Sequence, residues 1–389
     1  MKLKISLLSI FATVLLIGTG VSPMLPEMAQ DFGGEAFAKL FLTLPFLIII
    51  PMVFLSGFLS EIFAKKTMIN VGLILYLLSG LGGILAYDQT TLLLSRSLIG
   101  IGAGIVIPYS TFLVGDYFKN AERDKILSYT GVVSYLTGIV ILFGAGYLAT
   151  FYWKLGFLVF LLTLLPLFLI NKHIPDIPTT YLKKRYPYRF TFIFNSTVYR
   201  ASFCYFFVTL FVFTYFSELS FLISSKNLGS TIAIGAAQSI MMAAGVVSNL
   251  LMTVIKKVSI YFLCSLQMFF VAQGFFALGT ASIGIHNIYF GSFLLGIGFG
   301  SFASTIMSVI SESTTRINRL NAIAVAVGLF YLAQFISPWI FSAVRNITRI
   351  KEYSILFSTE GVLFTFIAIL CFYIFIQKGK QKSRRTKIV

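Results

Sequence analysis

The chain has 389 residues, 58% of them hydrophobic and 11% charged, with a mean hydropathy of +0.92. A soluble chain carries about a quarter charged residues, so this composition excludes a water-soluble enzyme or binding domain and describes a polytopic membrane protein solvated by lipid. The formal charge of +17 does not read as a nucleic-acid surface, because the basic residues sit mainly in alternate short segments between apolar runs.

The first residues, MKLKISLLSIFATVLLIGTG, have the basic start and apolar run of a signal peptide. No convincing small-x-small cleavage site follows, so a first transmembrane helix is expected instead. Runs long enough to span the hydrocarbon core lie near 5–22, 39–59, 67–86, 91–115, 127–149 and 153–171, then near 201–224, 229–255, 258–279, 285–310, 320–343 and 353–377. These are helices 1 to 12. Pro23 and Pro26 are expected to end helix 1, Pro45 and Pro51 to interrupt helix 2, and Pro108 and Pro338 to kink helices 4 and 11.

With the N-terminus placed inside, 23 Lys and Arg residues fall in inner segments and 6 in outer ones, with Arg96 left alone inside helix 4. Both termini are therefore expected to be cytoplasmic. The longest connection, residues 172–200, is rich in Pro, Tyr and basic residues and divides the chain into a six-helix bundle over 1–171 and another over 201–377. That linker and the basic tail 378–389 are expected to be cytoplasmic and to lie along an anionic leaflet.

LIGIGAG, residues 98 to 104, has a near twin in LLGIGFG, residues 294 to 300. The first lies in helix 4 and the second in helix 10, the corresponding helix of the second half. Lys65 and Lys66 precede the first copy as Lys256 and Lys257 precede the second, and downstream Arg123 lines up with Arg319. The chain thus reads as a tandem of two parallel-topology repeats, a plan typical of secondary transporters. Gly100, Gly102 and Gly104, and Gly296, Gly298 and Gly300, are expected to let neighbouring helices approach closely. A dinucleotide-binding reading fails, because Ile105 breaks the pattern and no strand precedes it.

The repeats differ in their charges. Arg96 stands four residues before Gly100, where the second half has Ser292. A guanidinium at that depth must face protein or water and find partners, and a functional role and a purely structural ion pair are both open. Glu218 and Glu360 also fall within apolar runs. Burial would make either a proton carrier, whereas exposure at the outer helix ends would account for both without function. Gln238, Gln267, Gln273 and Gln334 offer polar contacts within a cavity or between helices. Cys204, Cys264 and Cys371 read as small core residues; His173 and His286 have no ligand-like neighbours, so no metal site and no cofactor are expected. The chain also lacks the paired aspartates or HExxH of an intramembrane enzyme.

GFLSEIFAKK, residues 57 to 66, resembles the helix 2–3 loop of the major facilitator superfamily, G-x-L-x-D-x-x-G-R-[RK], with Glu61 in place of Asp and Ala64 in place of the second glycine. Arg96 followed by Gly100 and Gly102 is similar to the helix 4 signature of that superfamily, and PMLPEMAQDFG, residues 23 to 33, to the end of helix 1 in its drug and metabolite exporters. In helix 5, Ile141 and Leu142 stand where antiporters carry Gly-Pro, while Ala145, Gly146, Trp153, Lys154 and Phe157 keep the rest of that pattern.

The resemblance covers the whole chain and implies an all-α fold of twelve helices in two six-helix bundles. It also implies a cytoplasmic gate of Gly57, Glu61, Lys65, Lys66 and Arg123, and a role in proton coupling for Arg96. Glu218 and Glu360 are the further candidates for coupling. The expected protein is a monomeric bacterial plasma-membrane permease that exports a small organic solute in exchange for protons. An uptake symporter, and a non-transporting sensor or scaffold, are the alternatives.

Overall fold

A computed structural model of the chain describes residues 2–118, 120–175, 195–254, 258–314, 319–350 and 352–386. Among them there are twelve helical spans and no strand. In lipid every backbone polar group must be bonded within the protein, and an apolar helix meets that demand by itself.

Helices 2 to 5 are continuous, over Gly34–Ile62, Lys65–Leu85, Gln89–Tyr117 and Asn120–Ala149, as are helices 8 (Thr231–Val254), 9 (Ile260–Gly279), 11 (Arg319–Thr348) and 12 (Tyr353–Thr386). Pro45 and Pro51 therefore do not interrupt helix 2. Helix 1 does not end at Pro23 and Pro26 either. Its span runs over Lys2–Phe32, with Pro23 inside a 3₁₀ segment, Thr19–Met24, and Pro26 in the first turn of an α-helix, Leu25–Phe32. Proline is tolerated there because that turn has no N–H bond to lose.

Helix 6 (Trp153–His173) starts as a 3₁₀ helix, helix 7 (Ser196–Ser225) is offset at Phe213, and helix 10 (Ile285–Glu312) breaks at Ser301. Helix 7 is the most enclosed span and helix 12 the least. Phe203, Phe366 and Ile347 face outward, as side chains solvated by lipid can. Cys204 is exposed as well, and so is not a core residue.

The two halves are built alike. Helix 4 is wedged between helices 2 and 3: a side chain at Gly100 or Gly104 would meet Ile48 or Met52, and one at Gly102 the carbonyl of Gly72. Helix 10 is wedged in the same way, with Gly296 and Gly300 against Met241 and Gly245 of helix 8 and Gly298 against Gln267 and Val271 of helix 9. Small residues at such crossings gain dispersion contacts that larger ones would forbid.

The chain ends define two faces. Lys4 pairs with Glu122 at 2.7 Å and Ser6 meets His173 at 3.2 Å at the near face, where the chain begins. The opposite, far face carries the turn at Gly33 and Gly34, both with positive φ, and the connections between helices 7 and 8 and between helices 11 and 12. Most of the basic linker, residues 176–194, lies outside the described residues.

Candidate functional site

Between the middle of the molecule and the far face, the halves are joined by polar side chains. Helix 1 contributes Ser22, whose hydroxyl donates to the Phe216 carbonyl of helix 7 at 2.5 Å and accepts from Gln238 Nε2 of helix 8 at 2.7 Å. Ser220 Oγ returns a bond to the Ser22 carbonyl at 2.7 Å. The 3₁₀ course of helix 1 makes this possible, because it turns backbone groups of residues 19 to 24 away from a regular α ladder.

Beside it, at the level of the same turn of helix 7, lies a charged seam. Lys39 of helix 2 is 2.9 Å from Glu218 of helix 7, with side chains 3% and 0% exposed. Lys39 also reaches Glu35 Oε2 at 3.5 Å and Ser342 Oγ of helix 11 at 3.5 Å. Arg345 of helix 11 donates to Glu35 Oε2 at 3.2 Å and stands 3.9 Å from Glu218. Tyr353, opening helix 12, donates to Glu35 Oε1 at 2.6 Å, and the Arg345 guanidinium lies 4.3 Å from the centre of its ring. Two cations and two carboxylates from both halves thus neutralise one another. Pairing is what makes burial of such charges tolerable, and removing one partner leaves the other stranded.

Aromatic and backbone contacts close the same region. Phe46 of helix 2 packs edge-on to Phe213 at 5.4 Å and stacks on Tyr331 of helix 11 at 5.9 Å. Gly146 of helix 5 and Gly235 of helix 8 cross with no room for a Cβ on either, and Thr231 Oγ1 donates to the Gly146 carbonyl at 2.9 Å. Trp153 Nε1 donates to Asp31 at 2.6 Å and ties helix 6 to the end of helix 1. A cavity of about 440 Å³ opens over the seam, lined by Glu35, Lys39, Ser342, Arg345, Asn346 and Arg349 among others.

The structure distributes the expected coupling residues over three places. Glu218 lies in the seam and is not exposed at a helix end. Glu360 is buried within the second half, where its Oε2 accepts from Thr214 Oγ1 of helix 7 at 2.9 Å. Arg96 lies within the first half, fully buried, and forms no ion pair among the described residues. Its Nη2 donates to the Ile17 carbonyl at 2.6 Å and its Nε to the Phe41 carbonyl at 3.1 Å, with the guanidinium over the Phe41 ring. It thereby ties helices 1, 2 and 4 together. At the matching place in the second half, Tyr215 of helix 7 donates to Ser292 Oγ at 2.7 Å.

Lys65 and Lys66 open helix 3 at the near face. Gly57, Glu61 and Arg123 lie on helical backbone, and their side chains fall outside the described residues. Sequence reasoning missed Glu35, Lys39, Arg345 and Tyr353, counting the basic ones only as outer charges. A usable signal was present in EAFAKLFLTLPF: Glu35 and Lys39 stand one helical turn apart, and Lys39 already lies in the apolar run.

Twelve apolar spans in two like-built halves, meeting across a buried charged seam, define a two-repeat membrane carrier. The sequence profile of the Major Facilitator Superfamily matches residues 7–338, and the chain belongs to that superfamily of transporters. It is similar to MFS transporter L2 of Phoma sp., 31% identical over 131 residues that make 33% of this chain and 22% of that protein. It is similar also to multidrug transporter protein MdtP of Bacillus subtilis, 27% identical over 32% of this chain and 23% of that protein. To quinolone resistance protein NorA of Staphylococcus aureus it is 32% identical over 32% of each chain. The matched stretches therefore span less than a third of these relatives' own lengths. Among solved structures, a D-xylose-proton symporter matches with a TM-score of 0.74 at 16% identity, covering 95% of this chain and 97% of that one. The human organic anion transporter MFSD10 matches at 0.72 and 15%, covering 95% and 99%. At these identities the likeness is one of fold.

Proposed function

We propose that the protein is a monomeric exporter of a small organic solute across the bacterial plasma membrane, working in exchange for protons, with both termini and the basic linker cytoplasmic. The uneven distribution of basic residues supports that orientation, and the far face is then the outer one. The multidrug and quinolone-resistance functions in the names of two relatives support export of an organic compound.

The observation that carries the reading is the Lys39–Glu218 pair, buried between the halves at the shut outer face. Ionised, the pair holds the halves together. Protonation of Glu218 removes its charge and leaves Lys39 without its nearest partner, which loosens the seam. An empty, unprotonated carrier is therefore held in place, while a protonated one is free to move. That asymmetry suits an exchanger, which must forbid the empty movement; a symporter must allow it.

In this reading Glu218 carries the proton. Glu360, held by Thr214 one turn away on helix 7, is a second proton-accepting group. Arg96 couples helix 4 to the irregular stretch of helix 1 that also holds Ser22. Gly57, Glu61, Lys65, Lys66 and Arg123 form the cytoplasmic gate that closes when the outer seam opens.

Purified protein in liposomes with an acidic interior tests this reading. An exchanger raises the internal pH when a transported solute is added outside, and a symporter lowers it further. The rise is expected from the wild type and not from Glu218→Gln. A fall would overturn the reading in favour of uptake.

A further inference from the structure

Three ionisable side chains lead inward from the far face. Glu35 is 44% exposed and borders the cavity of about 440 Å³; Lys39 is 3% exposed; Glu218 is sealed. Lys39 Nζ touches both carboxylates, at 3.5 Å from Glu35 Oε2 and 2.9 Å from Glu218 Oε2. Hence Lys39, by ion-pair contact with both carboxylates, joins the sealed Glu218 to the cavity-lining Glu35.

We propose that Glu35 and Lys39 form a proton relay that loads Glu218 from the far face, with Glu35 as the collecting group and Lys39 as the shuttle. The inference rests on the reading of Glu218 as the proton carrier. Lys39 gives one Nζ proton to Glu218 Oε2, so that an N–H bond breaks and an O–H bond forms. Glu35, having taken a proton from hydronium in the cavity, passes it to the neutral Lys39 amine and returns to its carboxylate. The net result is one proton moved from water to Glu218, with Lys39 and Glu35 unchanged.

Other charged and titratable groups surround the relay, Arg349 of the cavity wall among them. Arg345 on helix 11 and Tyr353 on helix 12 both donate to Glu35 and hold its two oxygens in place, and Arg345 also stands 3.9 Å from Glu218. Glu360, on helix 12, contacts helix 7 through Thr214, one turn from Glu218. Lysine suits the shuttle because a buried ammonium exchanges its proton readily, whereas arginine stays protonated throughout.

The test is a rapid pH drop on the purified full-length protein, followed by infrared absorption of the protonated-carboxyl band, assigned to Glu218 by its loss in Glu218→Gln. In Glu35→Gln the band is expected to reach the same final height but to rise about tenfold or more slowly. Added formate and acetate should restore the rate, since the cavity admits small carboxylic acids, and the weaker acid should give the different slope that proton donation demands. Lys39→Arg keeps the charge and the pairing; it should show the same slow rise without rescue. Wild-type rates in both variants would overturn the relay while leaving Glu218 as the carrier. Absence of the band from the wild type at any pH would overturn the carrier reading, and the relay with it.

Discussion

Lys39 and Glu218 come from opposite halves of the chain and meet 2.9 Å apart, both buried. At that depth each is the nearest counter-charge of the other. Lys39→Ala is expected to destabilise the protein by about 3–5 kcal/mol, the usual result of stranding one member of a buried pair. The double change Lys39→Met with Glu218→Met should recover most of that loss, because an apolar pair has no charge to desolvate. Thermal unfolding in detergent reads the stability, and the liposome assay should show no proton coupling in the double variant.

Arg96 is bonded to the backbone of helices 1 and 2 and makes no ion pair among the described residues. Arg96→Ala frees the carbonyls of Ile17 and Phe41 in a buried place, at a cost of about 1–3 kcal/mol for each group left unbonded. Gradient-driven transport is expected to be lost. Arg96→Lys keeps the charge but cannot reach both carbonyls in the same fork, so it should recover transport only in part. Full transport by Arg96→Ala would remove Arg96 from the coupling scheme.

Ser22 Oγ and Ser220 Oγ lie 3.3 Å apart across the halves. In a variant with Cys204, Cys264 and Cys371 replaced by serine, the pair Ser22→Cys with Ser220→Cys should form a disulfide that locks the far face shut. Transport is expected to stop on oxidation and return on reduction. Transport that survives complete cross-linking would show that the seam need not open.

Gly146 meets the Thr231 carbonyl and Gly235 where helices 5 and 8 cross, whereas Gly131 of helix 5 and Gly328 of helix 11 have open space around them. Gly146→Val is therefore expected to force the halves apart and abolish transport. Gly131→Ala and Gly328→Ala should leave transport intact and stabilise their helices slightly, by about 0.5–1 kcal/mol each.

Asp88 caps helix 4: it accepts from the Thr91 backbone N–H at 2.7 Å and from the Thr91 hydroxyl at 2.7 Å. These bonds hold its carboxyl below the ordinary aspartate range. The contribution is thus fully present above the unfolded value, about 3.9, and is lost as the pH falls through the lower folded value. Asp88→Ala should lower stability at neutral pH and flatten the acid limb of the unfolding curve below pH of about 4, measured by thermal melts across pH.

Twelve spans, two repeats and the six crossing glycines were legible in the sequence, because hydrophobic length and small-residue spacing act within single helices and their immediate neighbours. The continuity of helix 2 through Pro45 and Pro51 was not, since it draws on another helix: the Phe41 carbonyl, which Pro45 cannot bond, accepts from Arg96 Nε of helix 4. Arg96 and the two carboxylates stood out as charges in apolar runs, but their partners did not. Glu35 and Tyr353, for example, bond across 318 positions of sequence. The apolar runs of the sequence by themselves determined that the chain crosses a membrane and how often, because transfer into lipid depends on each segment's own residues. Only the tertiary structure decided that Lys39 belongs to Glu218 and that Arg96 belongs to backbone carbonyls, because pairing buried charges depends on which helices the two halves bring together.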